Sequence, residues 1–220
     1  MRSLRNAVLL TLLAASSLAA QAYNYPVLQT PRIVDREYNF VAAAAGDAGT
    51  SLLFQWREGL SADWQLLLEG GLASPPSPAN TRLLLGGGLA WQWIRATEDF
   101  PLDMAVTGEV GFSSGSGFTV ERIPVGVSAG HTFKFDNGME LTPFVHPRLS
   151  IDHGNGNFPN TIVDVSSTKL DVDIDVGVNY QITQQIAVRV AGLLGGTSYV
   201  GATNAIGFSV AWTPKGLKKF

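Results

Sequence analysis

The chain has 220 residues, enough for one domain, and no proline- or serine-rich linker or change of composition divides it. Its formal net charge is −3, or −5 once Arg2 and Arg5 of a leader are removed to leave 13 basic against 18 acidic residues, and this acidic balance argues against a nucleic-acid partner. The absence of cysteine excludes a disulfide framework, a thiolate metal site and a cysteine nucleophile.

The first 22 residues have the three parts of a secretory signal peptide. A basic start at Arg2 and Arg5 is followed by an apolar run from Ala7 to Leu13 and then by small residues that end at Ala22. The alternative is a membrane anchor, but a spanning helix needs about 20 apolar residues and this run has roughly half that number. We therefore predict cleavage after Ala22, which leaves residues 23–35 as a periplasmic N-terminal segment.

The rest of the chain alternates apolar residues with polar or small ones, and it has no unbroken apolar run long enough for a membrane-spanning helix. A period of two residues predicts β-strands, most clearly from Leu170 to Ile182. The pattern gives ten strands, at about 36–45, 50–57, 63–73, 81–95, 102–113, 119–135, 139–153, 168–182, 186–198 and 203–213. Ten is an even number, as bacterial barrels require. Eight strands is the alternative, because four alanines weaken the first strand.

The two faces of these strands predict which side meets lipid. One face is apolar throughout, whereas the other carries the charged residues together with glycine, serine, alanine and threonine. A soluble barrel has its apolar face inside, but a narrow interior suits small residues and a few long polar groups. We therefore predict an all-β fold, a closed antiparallel up-and-down transmembrane β-barrel over residues 36–213, with a periplasmic tail at 214–220.

The aromatic residues give an independent indication. With a periplasmic amino terminus and ten strands, all five tryptophans fall toward the periplasmic strand ends, which is typical of a girdle at the membrane interface. The predicted girdle comprises Trp56, Trp64, Trp91, Trp93, Phe133, Phe135, Tyr180 and Trp212. The sequence Asp136-Asn137-Gly138 predicts a three-residue hairpin loop with Lys134 opposite Glu140.

The Ala20-x-Ala22 signal site, the amphipathic strands and the run Ile206-x-Phe208-x-Val210-x-Trp212 resemble the small bacterial outer-membrane β-barrel families. The resemblance covers about residues 36–213, and its motifs are generic, so it identifies no member and no oligomeric state. It implies a place in the Gram-negative outer membrane, contact with outer-membrane lipid and insertion by the barrel-assembly machinery. One departure is that the aromatic-ended last strand usually finishes such chains, whereas Thr213 to Phe220 follow here.

Two polar groupings suggest chemistry, and neither predicts a cofactor. The ladder Asp171-x-Asp173-x-Asp175 resembles the opening of a calcium loop but lacks the glycine and the closing glutamate, so ion pairing with Arg148, Arg189 or both is predicted instead of a metal.

The second grouping, His146, Ser150, Asp152 and His153, suggests a hydrolase. Strand parity points the first three inward and leaves His153 at the loop edge. No catalytic group is predicted, because a triad needs mutual geometry.

Charged side chains on the inner face of the upper half predict an ion-paired constriction that blocks flow. Its members are Glu69, Arg82, Glu109, Arg122, Arg148, Asp152, Asp171 and Asp173. The hairpin register sets Arg122 opposite Asp152 and Arg148 near Asp173, and unpaired charges in a narrow lumen would be costly.

The function expected from these features is that of a porin-like, non-enzymatic barrel with a structural role or passage for very small solutes. The alternative is a lipid-modifying enzyme of the lipid A acyl hydrolase type. Such an enzyme would keep a histidine, a serine and a carboxylate within hydrogen-bond reach at one lipid-facing height.

Overall fold

The computed structural model describes residues 27–45, 49–74, 81–115, 118–157, 164–195 and 204–215. The predicted signal peptide at residues 1–22 and tail residues 216–220 lie outside these ranges, so they stay predictions. The strands are β1 (Arg36–Ala44), β2 (Thr50–Gly59), β3 (Trp64–Ser74), β4 (Arg82–Ile94), β5 (Asp103–Gly115), β6 (Phe118–Gly130), β7 (Phe133–Lys134), β8 (Glu140–Asn157), β9 (Asp164–Gln181), β10 (Ile186–Gly195) and β11 (Ala205–Trp212). The described residues include no helix that is long and apolar enough to cross a membrane.

The strands form a closed antiparallel barrel. Each long strand pairs with the next, β6 pairs directly with β8, and β1 pairs with β11 to close the ring. The two-residue β7 continues the edge of β6 along β8. The barrel wall therefore has ten strands, as predicted, and the eight-stranded alternative is wrong. The alanine-rich β1 pairs with β2 from Arg36 to Ala44 and with β11 from Tyr38 to Ala44.

An even number of strands brings the chain in and out at the same end of the barrel, which we call the near end; the opposite end is the far end. The near-end turn between β7 and β8 follows the predicted hairpin. Gly138 has φ of +82°, in the left-handed region that favours glycine, and Phe135 N donates to the Met139 carbonyl at 3.0 Å. This turn sets Lys134 opposite Glu140, the register that the sequence predicts.

The large apolar side chains of the strands point outward. Leu85 is 48% exposed and Val125 is 54% exposed, whereas charged residues such as Arg122 and Asp173 are almost fully buried inside. Exposed apolar rows are expected on a wall that lipid covers. The interior is not wholly polar, however, because a cluster of apolar residues also fills part of the lumen. Its members are Leu28, Val41, Ala43, Leu53, Ala73, Leu84, Phe144 and Ala191.

The aromatic residues of the predicted girdle lie at the near end. Tyr38 stacks on Trp212 with ring centroids 5.5 Å apart, and Trp64 stacks on Trp91 at 6.3 Å. Six girdle members are exposed on the outer face: Trp64, Trp91, Trp93, Phe133, Phe135 and Trp212. Trp56 and Tyr180 are half-buried in the same band, opposite Tyr38 and Leu141 respectively.

Replacing Leu85 with arginine should lower the free energy of unfolding by about 2–4 kcal/mol, because the outer wall offers the guanidinium no water near the bilayer midplane. Leu60→Arg, in the near-end turn between β2 and β3, is the matched control and should cost about 0–1 kcal/mol, because it lies at the interface. Urea unfolding in lipid vesicles measures both. Equal losses in the two variants would show that the outer face is wrongly assigned.

Candidate functional site

The residues before β1 run inside the barrel. The sequence predicts a periplasmic segment at residues 23–35, but its described part from residue 27 to residue 34 lies in the lumen. Val27, Leu28, Gln29 and Thr30 are at most 8% exposed. We call residues 27–34 the luminal segment. It occupies the near half of a space that the sequence predicts to be narrow.

Luminal side chains hold this segment by its main-chain polar groups. Arg57 donates to the carbonyls of Val27 and Leu28 at 3.1 and 3.3 Å, and Ser128 Oγ donates to that of Gln29 at 2.8 Å. Four further hydrogen bonds run from Gln55 to the Val27 carbonyl, from Gln92 to the Pro31 carbonyl, from Gln65 to the Val34 carbonyl, and from Ile33 N to Gln92 Oε1. Because the segment forms no strand, these side chains replace the partners that a β-ladder would supply.

Leu28 anchors the segment through its side chain. It is fully buried and belongs to the luminal apolar cluster with Leu53 and Phe144. Its φ of 56° lies in the left-handed region, which costs a residue with a Cβ about 1–2 kcal/mol. Burying a leucine side chain contributes about 1.5–3 kcal/mol. Burial therefore offsets the backbone strain and explains why a bulky residue stays in this conformation.

A buried ion-pair cluster joins the luminal segment to the near half of the wall. The Glu37 carboxylate accepts hydrogen bonds from Arg57 at 2.8 Å and from both terminal nitrogens of Arg189 at 2.7 and 2.5 Å. Arg189 Nε also donates to Asn179 Oδ1 at 2.8 Å. Sequence reasoning missed this cluster. Alternation along the strands places the three charged residues inward, but only barrel closure brings β1 near β10.

A second cluster lies further toward the far end, where the constriction is predicted. The strand registers set Arg122 opposite Asp152 and Arg148 opposite Asp173. Arg122 Nε lies 3.0 Å from Asp152 Oδ1, and its Nη2 also contacts Asp173 and Ser150. Arg122 thus reaches over β8 to an aspartate on β9.

Arg148 pairs with Asp175, whereas the sequence sets it near Asp173. Its Nη2 donates to Asp175 at 2.9 Å, one step diagonally from its register partner Asp173. A long side chain reaches a diagonal neighbour easily. Asp175 also faces His146, with Nδ1 and Oδ2 3.4 Å apart, and the amide of Val27 lies 3.4 Å from the same oxygen. The second cluster therefore contacts the luminal segment at Val27.

The other predicted members of the constriction line the same lumen. Glu69 accepts a hydrogen bond from Gln55 at 2.9 Å, and Glu109 lies on the other side of β4, opposite Gly88. Glycines on β4 leave room for both: a Cβ on Gly86 would lie 2.7 Å from Glu69 Oε1, and one on Gly88 would lie 2.5 Å from Glu109 Cγ. Two further predicted members, Arg82 and Asp171, are buried on the inner face.

The histidines divide between the two faces. His146 lies in the lumen, where Nε2 is 2.9 Å from Thr107 Oγ1. His153 is on the outer face of β8, and its Nδ1 is 2.9 Å from Thr168 Oγ1. Glu121 on β6 is opposite His153 in the register. Within the described ranges, no three His, Cys, Asp or Glu side chains are grouped so that they could hold a metal ion.

No protein-family model matches the chain, and no curated protein matches it. Solved structures do match. LpxR from Salmonella typhimurium is 11% identical with a TM-score of 0.44, covering 80% of this chain and 99% of that chain. A structure titled KdgM porin is 8% identical with a TM-score of 0.39, covering 80% and 98%. The N-terminal β-barrel domain of Pseudomonas aeruginosa OprF is 14% identical with a TM-score of 0.37, covering 80% and 96%.

At these identities and TM-scores we take neither activity nor substrate from the similar structures. The closed hydrogen-bond ladder and the outward apolar face instead define the architecture. The fold is that of an outer-membrane β-barrel.

Replacing Arg57 with methionine should destabilise the barrel by about 3–5 kcal/mol, because Glu37 loses one of its two buried cations, the Leu28 carbonyl loses its donor, and the Val27 carbonyl keeps only Gln55. Arg36→Met is the matched control. Its pair with Glu58 is 32% and 22% exposed at the near end, where solvent screens the two charges, so its loss should cost clearly less than the loss of Arg57. Urea unfolding in lipid vesicles compares the two, and a similar cost for both would argue against a structural role for the buried cluster.

Proposed function

We propose that this protein is a closed outer-membrane barrel with a structural role in the envelope, whose lumen passes at most very small solutes. The near end faces the periplasm, the outer wall contacts outer-membrane lipid, and the barrel-assembly machinery inserts the chain. The observation that carries the proposal is the luminal segment, which occupies the space that an open channel would need.

The wall holds the luminal segment from several sides. Hydrogen-bond donors come from Arg57 on β2, Gln65 on β3, Gln92 on β4 and Ser128 on β6. These donors reach the main chain of the segment directly, so no wide opening separates the segment from these four strands. Residues 27–30 are accordingly buried.

Ion pairs close the lumen further toward the far end. Arg122 and Arg148 link β6, β8 and β9 through Asp152, Asp173 and Asp175, and all five side chains are at most 4% exposed. Breaking a buried pair by removing one partner leaves an uncompensated charge, which typically costs about 3–5 kcal/mol. The pairs therefore resist the separation that ion flow would require.

A lipid-modifying enzyme is the second candidate, and one observation favours it. His153 and the Thr168 hydroxyl are in contact on the outer face near the far end, and Glu121 lies at the same height on β6. A histidine can activate a hydroxyl nucleophile, although threonine stands here where the sequence analysis required serine. Mass spectrometry of lipopolysaccharide incubated with the barrel tests this candidate. An acyl hydrolase would release fatty acid, and His153→Ala would abolish the release.

The parent barrel should show no steady conductance in a planar bilayer. A variant that lacks residues 23–34 and also carries Arg148→Ala should conduct, because it keeps every strand of the wall but loses the luminal segment and one of the two arginines of the ion-paired constriction. Arg148→Ala should admit brief cation currents, because it leaves Asp175 without its guanidinium partner.

Glu121→Gln, on the outer face, is the control for these recordings and should stay closed. Heat-dependent mobility on a denaturing gel verifies that each variant is folded. A steady open pore in the parent protein would refute the closed-barrel proposal.

A further inference from the structure

A cavity of about 350 Å³ opens at the near end of the barrel, beside the exit of the luminal segment. Three separate parts of the chain line it: the segment itself, the connection from β4 to β5, and the connection from β6 to β8. Its polar lining comprises Arg32, Arg95, Asp103, His131, Thr132 and Lys134. Three of these six side chains are permanent cations, in a chain whose net charge is negative.

Acidic groups also lie near this cavity. Arg95 pairs with Asp63 at 2.8 Å, with both side chains about half exposed, and Asp103 accepts a hydrogen bond from the amide of Ala96 at 3.0 Å. Within the described part of the chain, neither Arg32 nor Lys134 has an ion pair. The lining of the cavity therefore carries three cations against one carboxylate, that of Asp103, while Glu140 lies opposite Lys134 in the strand pair.

We propose that this cavity binds a small oxyanion, a phosphate or carboxylate group presented at the near end. A guanidinium binds two oxygens of such a group in one plane, and an ammonium contributes a compact charge with three donors. Arg32 and Lys134 are the primary contacts. Both residues line the same cavity, Arg32 from the luminal segment and Lys134 from the barrel wall, and the proposal is that one anion in the cavity binds both.

The position of Arg32 links binding to the luminal segment. The main-chain carbonyl of Arg32 accepts a hydrogen bond from Thr30 Oγ1 at 2.9 Å. The main chains of Pro31 and Ile33 are hydrogen-bonded to the side chain of Gln92. An anion between Arg32 and Lys134 adds a further attachment between the segment and the wall. A ligand that binds only when the luminal segment lies in the lumen stabilises that arrangement by mass action. The proposed ligand thus stabilises the segment in the lumen, whether or not the barrel ever conducts.

Isothermal titration of the detergent-solubilised full barrel at low salt tests the site, with inorganic phosphate and glutarate as separate probes. We expect saturable binding of at least one probe. Each of Arg32→Gln and Lys134→Gln should weaken it about tenfold, because each removes a charge-assisted hydrogen bond. Lys215→Gln, an exposed near-end lysine outside the cavity, is the matched control and should stay within about twofold.

The two probes distinguish the source of the oxyanion. Binding of phosphate alone indicates a phosphate ligand, glutarate alone indicates a carboxylate ligand, and both indicate a general oxyanion site. Hydrogen exchange adds a structural measurement, since the Ile33 amide bonded to Gln92 should exchange more slowly with the anion bound. Binding that never saturates, or that Lys215→Gln weakens as much as Lys134→Gln does, overturns the site. Neither result bears on whether the lumen conducts.

Discussion

The pairing of β1 with β11 is the constraint on which the rest of the structure depends. Lipid offers no hydrogen bonds, so an open sheet edge inside the hydrocarbon layer would leave several costly unsatisfied groups. Closing the sheet gives both edges of each wall strand a hydrogen-bonded neighbour. Closure also gives each strand one face toward lipid and one toward the axis, which explains why leucines such as Leu85 are exposed while Arg122 and Asp173 are buried.

The interior must then be filled within a narrow radius. A ten-stranded wall leaves little more space than its own side chains need. In this barrel the space is shared by the luminal segment, a small apolar cluster and two sets of buried ion pairs. The glycines at positions 86 and 88 leave space for two glutamate side chains, because a Cβ there would lie 2.7 Å from the Glu69 carboxyl group and 2.5 Å from the Glu109 Cγ. The lumen is therefore a packed core with polar members.

Much of the wall was predictable from the sequence, because lipid outside and charge inside impose a two-residue period on every strand. The hairpin at Asp136-Asn137-Gly138 was also predictable, since its loop length and glycine determine the register between neighbouring strands. That register sets Arg122 opposite Asp152. Local hairpins carry this information, so contacts between successive strands follow directly from the sequence.

Contacts that depend on closure were not predictable in this way. Glu37 and Arg189 are 152 positions apart and lie on strands separated by β11, so no hairpin register relates them. The luminal segment has no alternating pattern, and luminal side chains hold it largely through main-chain carbonyls, which carry no sequence signature. Arg148 prefers the diagonal Asp175 because side-chain length, not register, determines its reach. Most contacts of the candidate site therefore join residues that only the closed barrel brings together.

Closure by the first and last strands also has a consequence for the time course of folding. β1 is synthesised early, but its second partner, β11, is synthesised last, so β1 is incompletely paired until the whole chain is available. Contacts between such distant residues form slowly, because a long loop must close before they are made. The luminal segment touches residues on strands around the ring, including Asp175 at 148 positions from Val27. The position of the luminal segment therefore depends on strands drawn from almost the whole length of the chain, and it cannot be fixed by local folding alone.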